Sequence, residues 1–396
     1  MRDVTDDVVV TGVGAVTALG ADVAGTWAAL LAGRSAARHW DDLREEGFGV
    51  DVACRIADDA WGPQGPPEPT RRGRALGLLA TAEAVAQAGL TGRLDGGLDG
   101  GLDGARVGVF VGTTMGESAV FETAAARGSF DLAEGGGQVF AETIAEAYDA
   151  RGPRRTFGTA CAAGNYAIAA AARAVACGRV DVAIAGGVEP FSRIAMLGFS
   201  RMRAMAPDGC APFGRGRRGM TLGEGAGIVV LQRAADAERP LARVGALGLS
   251  ADAHHPTAPR EDGVHMVAAM RGGLARTGLA GDEVGWVSAH GTGTPRSDAV
   301  EARSLAATFA SPPPVSSIKG ALGHTLGAAT AIEAVVAVCA LRDRVLPPNT
   351  GATELDETLG VDVVDAQRAA PDLDWVMSCG FAFGGLNSAL LLGRAA

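Results

Sequence analysis

Short apolar runs closed by glycine punctuate the chain. Val8-Val9-Val10-Thr11-Gly12, Val107 to Gly112, Val180 to Gly186 and Gly227 to Leu231 carry apolar or small residues at nearly every position rather than at alternate ones. That pattern predicts strands buried on both faces. Between them, Leu76 to Ala88 and Tyr166 to Ala176 are alanine-rich and of helical length, with side chains small enough to sit close to a sheet. The rhythm returns later, where Val284 to His290 and Trp375 to Ser378 read as strands and Thr325 to Leu341 as a buried helix. The class is α/β with a duplicated architecture. The polar stretch Gln232 to Pro240 marks the junction, giving halves at 1–240 and 241–396. Leu94 to Gly104, a small Leu-Asp-Gly repeat, predicts a surface loop.

Composition narrows the function. Of 396 residues, 47% are hydrophobic and only 5% aromatic, while glycine reaches 58, so close backbone packing replaces bulky fillers. The net charge of −10 disfavours nucleic acid as a partner. No stretch approaches the roughly 18 apolar residues of a membrane span, and the N-terminus lacks a basic-then-apolar secretion layout, so a cytoplasmic protein is expected. Cysteines at 54, 161, 177, 210, 339 and 379 show neither disulfide nor zinc spacing. No metal or resident cofactor is expected, and any special cysteine is special for its reactivity. Lys319 is the only lysine in the chain.

Three residues stand on glycine-rich junctions. Cys161, in Thr159-Ala160-Cys161-Ala162-Ala163-Gly164, falls where a helix begins, and the helix dipole there would favour its thiolate. A buried small filler is the alternative reading. His290 ends an apolar run and opens Gly291-Thr292-Gly293-Thr294, at the carboxyl edge of a strand. His324 follows Lys319-Gly320-Ala321-Leu322-Gly323 just before an apolar helix, a junction that echoes the one at Cys161. Either histidine alone could be a satisfied core residue. Together the three suggest covalent thioester chemistry, in which a thiolate takes an acyl group and imidazole donors stabilise an oxyanion or enolate. In Phe381-Ala382-Phe383-Gly384-Gly385-Leu386-Asn387, backbone N–H groups could complete an oxyanion hole while the phenylalanines exclude water. The glycine runs match neither a dinucleotide fingerprint nor a phosphate loop.

These motifs, in this order, resemble the β-ketoacyl-acyl carrier protein synthases, and the likeness runs from Val8 to the C-terminus. The Cys-His-His set is similar to the elongating branch. The resemblance implies a thiolase-like fold, two similar halves in five alternating αβαβα layers, usually dimeric. It implies a decarboxylative Claisen condensation of an acyl group on Cys161 with malonyl-acyl carrier protein, in fatty-acid, polyketide or polyene biosynthesis. His290 and His324 would hold the enolate, and Lys319 with Glu333 would orient His324. Phe383 would supply an oxyanion N–H and act as the gate. Thr257, Thr292 and Thr294 would line the tunnel of the phosphopantetheine arm, with Met115 and Phe381 facing the substrate. Asp298 and Glu301 complete the first histidine motif. Arg71, Arg72, Arg74, Arg201 and Arg203 match basic positions that would receive an acidic carrier protein, although a solvated helix face explains them equally. The sequence departs from the family at Ala382, Leu386, Gly214 and Thr330. Two other readings are a non-elongating acyltransferase and a chain-length-factor-like partner subunit of a heterodimer. Retention of all three site residues argues against the second.

Overall fold

A computed structural model describes residues 8–61, 65–94, 101–124, 128–129 and 131–395. Residues 95–100 of the Leu-Asp-Gly repeat lie outside the described residues.

Ten strands form the central sheet: β1 (Val8–Thr17), β2 (Val107–Gly112), β3 (Arg154–Phe157), β4 (Val182–Glu189), β5 (Gly225–Arg233), β6 (Ala242–Ala251), β7 (Val284–Ser288), β8 (Val315–Ser316), β9 (Trp375–Phe381) and β10 (Leu386–Arg394). The spatial order is β8-β7-β9-β10-β6-β1-β5-β4-β2-β3. Read outward from the β6/β1 junction, the two halves are the same figure. In the first, β2 pairs in parallel with β3 and β4, and β5 lies antiparallel between β4 and β1. In the second, β7 pairs in parallel with β8 and β9, and β10 lies antiparallel between β9 and β6. The halves join through a short antiparallel pairing, Val9 with Arg243 and Val10 with Ala242.

Helices complete five layers. Helices α1 (Arg72–Gln87) and α2 (Gln138–Ala147) cover the outer face of the first half-sheet. Helices α3 (Ala163–Ala176) and α7 (Ala329–Asp343) fill the space between the half-sheets, and α5 (Val264–Thr277) and α6 (Pro295–Thr308) cover the second. Helix α4 (Arg193–Arg201) lies outside these layers, near the small cluster of Phe191, Met196 and Leu222. Helix α7 is buried on every side from Ala329 to Leu341, so it carries no polar stripe. Where α3 and α7 meet, a Cβ on Gly164 would lie 2.5 Å from the Ala331 nitrogen, and only glycine fits. No helix among the described residues is long and apolar enough to cross a membrane.

The echo between the two junctions is structural. Ala160 (φ +48°) and Leu326 (φ +44°) are both non-glycine residues in the left-handed region. Each opens a single 3₁₀ turn, Ala160–Ala162 or Leu326–Ala328, that feeds a central helix. The duplication therefore delivers two strained turns to one place, from opposite halves.

Candidate active site

Cys161 comes from the turn after β3, His290 from the end of β7, His324 from the turn before α7 and Phe383 from the turn after β9. All lie at carboxyl edges of parallel strands or at starts of the central helices, where open α/β sheets form sites. One nitrogen from each histidine and the cysteine sulfur lie within 4.8 Å of one another. His324 Nε2 is 3.1 Å from Cys161 Sγ, and the two imidazoles meet edge to face with centroids 5.5 Å apart.

The hydrogen bonds fix the state of His324. The Leu326 N–H donates to Nδ1 at 3.2 Å, so the neutral ring carries its proton on Nε2, aimed at the sulfur. Its backbone is clamped as well: the His324 N–H donates to the Thr221 carbonyl and its own carbonyl accepts from Gly223. Lys319 and Glu333, which the resemblance implied would orient His324, pair with each other. Lys319 Nζ binds Glu333 Oε1 at 2.5 Å, both side chains being buried. The lysine reaches the site through its charge. Burial first, and the Lys319 cation second, hold both imidazoles well below the ordinary histidine pKa. Two neutral imidazoles result, suited to donate hydrogen bonds to a developing oxyanion.

At His290, the Glu301 carboxylate accepts the backbone N–H groups of His290 and Gly291, each at 2.7 Å. Asp298 does the same for Phe213 and Gly293, which anchors the turn after β7 to α6. His290 Nδ1 is buried without a hydrogen-bond partner among the described residues.

Cys161 departs from the expectation of a thiolate primed by the helix start. Burial pushes its thiol up to about 11, against the Lys319 charge and the backbone N–H groups of Phe383 and Cys161, which pull it down. Desolvation of the anion outweighs these favourable dipoles, so the resting sulfur is a thiol. Those two N–H groups are the oxyanion donors expected on the acyl carbonyl. The donor set alone would suit a metal ion, but the Leu326 N–H occupies the Nδ1 lone pair. That leaves His324 offering a proton rather than a lone pair at Nε2.

A cavity of about 260 Å³ opens from this centre. Thr257, Thr292, Thr294, Phe381 and Phe383 line it, together with Phe199, Asp252 and Asn387. The Phe383 ring stacks at a tilt on Phe199, with centroids 5.6 Å apart. Its loop is held by Gly384 N–H to the Pro256 carbonyl (2.7 Å) and Asp252 N–H to the Gly385 carbonyl (2.9 Å). Asn387 Nδ2 also donates to Asp252 (2.7 Å). Ala382 and Leu386 pack beside Cys161, and Thr330 accepts the Asn165 N–H from α3.

Not every expected residue reaches the cavity. Met115 packs against the cluster that includes Phe191, Met196 and Leu326 instead of lining it. Arg72 is turned inward: it forms a part-buried ion pair with the buried Glu224 at 2.7 Å and also donates to the Ile56 carbonyl. Arg74 donates to the Thr70 and Glu134 carbonyls. Arg71 and Arg201 are exposed but do not line the cavity, whereas Arg203 does. The sequence missed two further cations there, Arg218 and Arg296. Arg218 lies in an arginine-rich run and Arg296 follows a helix-starting proline, so neither carried a distinguishing signal.

The fold and the site define an enzyme that works through a cysteine thioester. Residues 5–237 match the family described as Beta-ketoacyl synthase, N-terminal domain, and residues 241–353 match Beta-ketoacyl synthase, C-terminal domain. The chain is 32% identical to a 3-oxoacyl-(acyl-carrier-protein) synthase 2 of Rhizobium meliloti over 420 residues, covering 98% of each. Among solved structures it is similar to the ishigamide ketosynthase/chain length factor, with 34% identity, a TM-score of 0.86 and coverage of 98% of this chain and 99% of that one. It is also similar to a beta-ketoacyl synthase from Burkholderia phymatum STM815, with 31% identity, a TM-score of 0.87 and coverage of 99% and 100%. The chain belongs to the β-ketoacyl synthase family.

Proposed function

We propose that this protein condenses an acyl group on Cys161 with malonyl-acyl carrier protein, releasing CO₂ and giving β-ketoacyl-acyl carrier protein. The observation that carries the reading is the convergence of the Cys161 sulfur with two neutral imidazoles, one of them holding its proton toward the sulfur.

In the first step the sulfur attacks the acyl thioester. The S–C bond to Cys161 forms, the bond to the pantetheine sulfur breaks, and the Cys161 proton leaves with the departing thiol. The N–H groups of Cys161 and Phe383 hold the tetrahedral oxyanion, each such donor contributing roughly a 100- to 1000-fold rate effect. In the second step a malonyl thioester occupies the same cavity. Its carboxylate leaves as CO₂, and the electron pair moves into an enolate whose oxygen accepts from His324 Nε2–H and from His290. The enolate carbon then attacks the acyl carbonyl and expels Cys161 as a thiolate, which takes up one proton from solvent to return to the resting thiol.

The carrier protein brings its own phosphopantetheine arm, and no other cofactor enters this chemistry. Thr257, Thr292 and Thr294 offer hydroxyls to the arm's amides. Arg203 offers positive charge to an acidic carrier at the entrance, flanked by Arg218 and Arg296, whose exposed pairs with Asp208 and Glu261 a carrier carboxylate would exchange. The resemblance to a ketosynthase/chain length factor supports assembly with a second such chain, of the same or a related kind. Six free cysteines suit the reducing cytoplasm. The direct test is malonyl-acyl carrier protein with and without acyl donor: CO₂ and a β-keto product are expected, with an acyl adduct on Cys161 by intact-protein mass spectrometry. Acyl transfer to an amine or alcohol without CO₂ release would overturn the reading.

A further inference from the structure

Glu189 ends β4 and is fully buried, yet the chemistry above does not use it. Its carboxylate gathers four donors. Oε1 accepts the Met115 N–H at 2.8 Å and the Thr113 hydroxyl at 3.1 Å, and Oε2 accepts the Thr114 N–H at 2.7 Å and the Gly327 N–H at 2.8 Å. Three of these donors belong to one loop of the first half, and the fourth belongs to the turn of the second half that starts α7. The two segments touch without room for a side chain: a Cβ on Gly327 would lie 2.5 Å from the Thr113 carbonyl carbon and the Thr114 nitrogen.

The residue before Gly327 is Leu326, whose N–H fixes the protonated nitrogen of His324. Leu326 sits at φ +44°, a strained conformation that persists only where its surroundings hold it. The Gly327 N–H bond to Glu189 supplies that hold from the C-terminal side, while the Leu326 N–H to His324 lies on the N-terminal side. We propose that Glu189 is a positioning residue for decarboxylation, pinning the Leu326–Gly327 turn against the Thr113–Met115 loop and thereby fixing the tautomer and aim of His324. The inference rests on the reading of His324 as an enolate donor.

A glutamine has the right shape and the wrong chemistry. Its amide nitrogen would turn two N–H groups toward donors that need an acceptor. The test compares wild type with Glu189→Gln on three measures: decarboxylation of malonyl-acyl carrier protein, acyl loading of Cys161, and nitrogen NMR of histidine-labelled protein. Decarboxylation should slow on the order of 100-fold, as for a misplaced reacting group, with KM for the malonyl carrier unchanged. Cys161 loading should hold, and His324 should pass from one neutral tautomer to a mixture. Equal loss of both half-reactions, or an unchanged His324 spectrum, would overturn the proposal. Should Glu189→Gln fail to fold, Glu189→Asp is read on the same measures, since it keeps both oxygens but withdraws them from Gly327. If wild type itself releases no CO₂, the functional reading falls, and the tautomer comparison still decides the role of Glu189.

Discussion

His324 Nε2 lies 3.1 Å from Cys161 Sγ with its proton between them, because the Leu326 N–H occupies the other ring nitrogen. A histidine arranged this way is a donor, and it cannot remove the cysteine proton without first changing tautomer. The geometry therefore separates the two half-reactions: the sulfur carries the acyl group and the imidazoles serve the enolate.

Variants should divide along that line. Cys161→Ala should abolish acyl loading in intact-protein mass spectra, while Cys161→Gln should retain malonyl decarboxylation. His324→Ala and His290→Ala should each slow CO₂ release by roughly 100- to 1000-fold, the usual effect of losing one preorganised donor. Loading of Cys161 should survive both histidine changes if the division is right.

The buried thiol sets a second expectation. With its pKa pushed up to about 11, Cys161 should react slowly with iodoacetamide near neutral pH. Its rate should climb about tenfold per pH unit until it levels near that value. Exposed Cys177 serves as the internal reference, resolved by peptide mapping after timed alkylation. A plateau of Cys161 reactivity already at pH 7 would show that the helix start and Lys319 outweigh desolvation.

Much of this was legible in the chain. The strands β2, β4 and β7 show as unbroken apolar runs because layers cover them on both faces, and α7 shows because it is apolar throughout. The edge strand β3, Arg154-Arg155-Thr156-Phe157, has no such run, since its first three residues are exposed. Strand β8 is only two residues long, and its pairing with β7 defines it. At the site, the Cys, the two His and the gating loop were readable from the glycines that surround them. Glu189 was not, because its partners at positions 113 to 115 and 327 meet only through tertiary contact. Cys161's protonation state was hidden for the same reason: a helix start is local, whereas desolvation depends on what the other half places over it.

The arginines near the entrance should fall into two classes. Arg203→Ala, Arg218→Ala and Arg296→Ala should raise KM for carrier-borne substrates, most at low salt, with little change for a free pantetheine thioester. Arg72→Ala should leave that KM unchanged and instead destabilise the fold by about 3–5 kcal/mol, because the buried Glu224 loses its partner. Chemical denaturation beside steady-state kinetics distinguishes the classes.

Lys319→Met removes the cation that holds down both imidazoles and the thiol. Onset of Cys161 alkylation should move to higher pH, and unfolding free energy should fall by a few kcal/mol, about 3–5 at most. The loss should depend on pH with a definite sign. Burial raises the Glu333 carboxyl to about 7, and Lys319 lowers it. A carboxyl raised in the folded state contributes stability fully present below its unfolded pKa and lost as pH rises through the folded value. Without Lys319 that value rises further, so the variant should approach wild type in acid and fall behind it above neutrality. Adding Glu333→Leu should recover most of the stability, as measured by urea unfolding across pH.

The gating loop offers the last test. Gly385 has φ +73°, and a Cβ there would lie 2.4 Å from the Asp252 Cβ, so Gly385→Ala must push the loop away from its latch. The latch is the Asp252 N–H to the Gly385 carbonyl and the Asn387 amide to the Asp252 carboxylate, made two and four residues beyond Phe383. Displacing the loop carries the Phe383 N–H off the acyl carbonyl while leaving His290 and His324 in place. Acyl loading of Cys161 should therefore fall by roughly 100-fold or more, and malonyl decarboxylation should persist. Stopped-flow loading measured beside CO₂ release checks this directly, and equal loss of both would show that the gate also serves the enolate step.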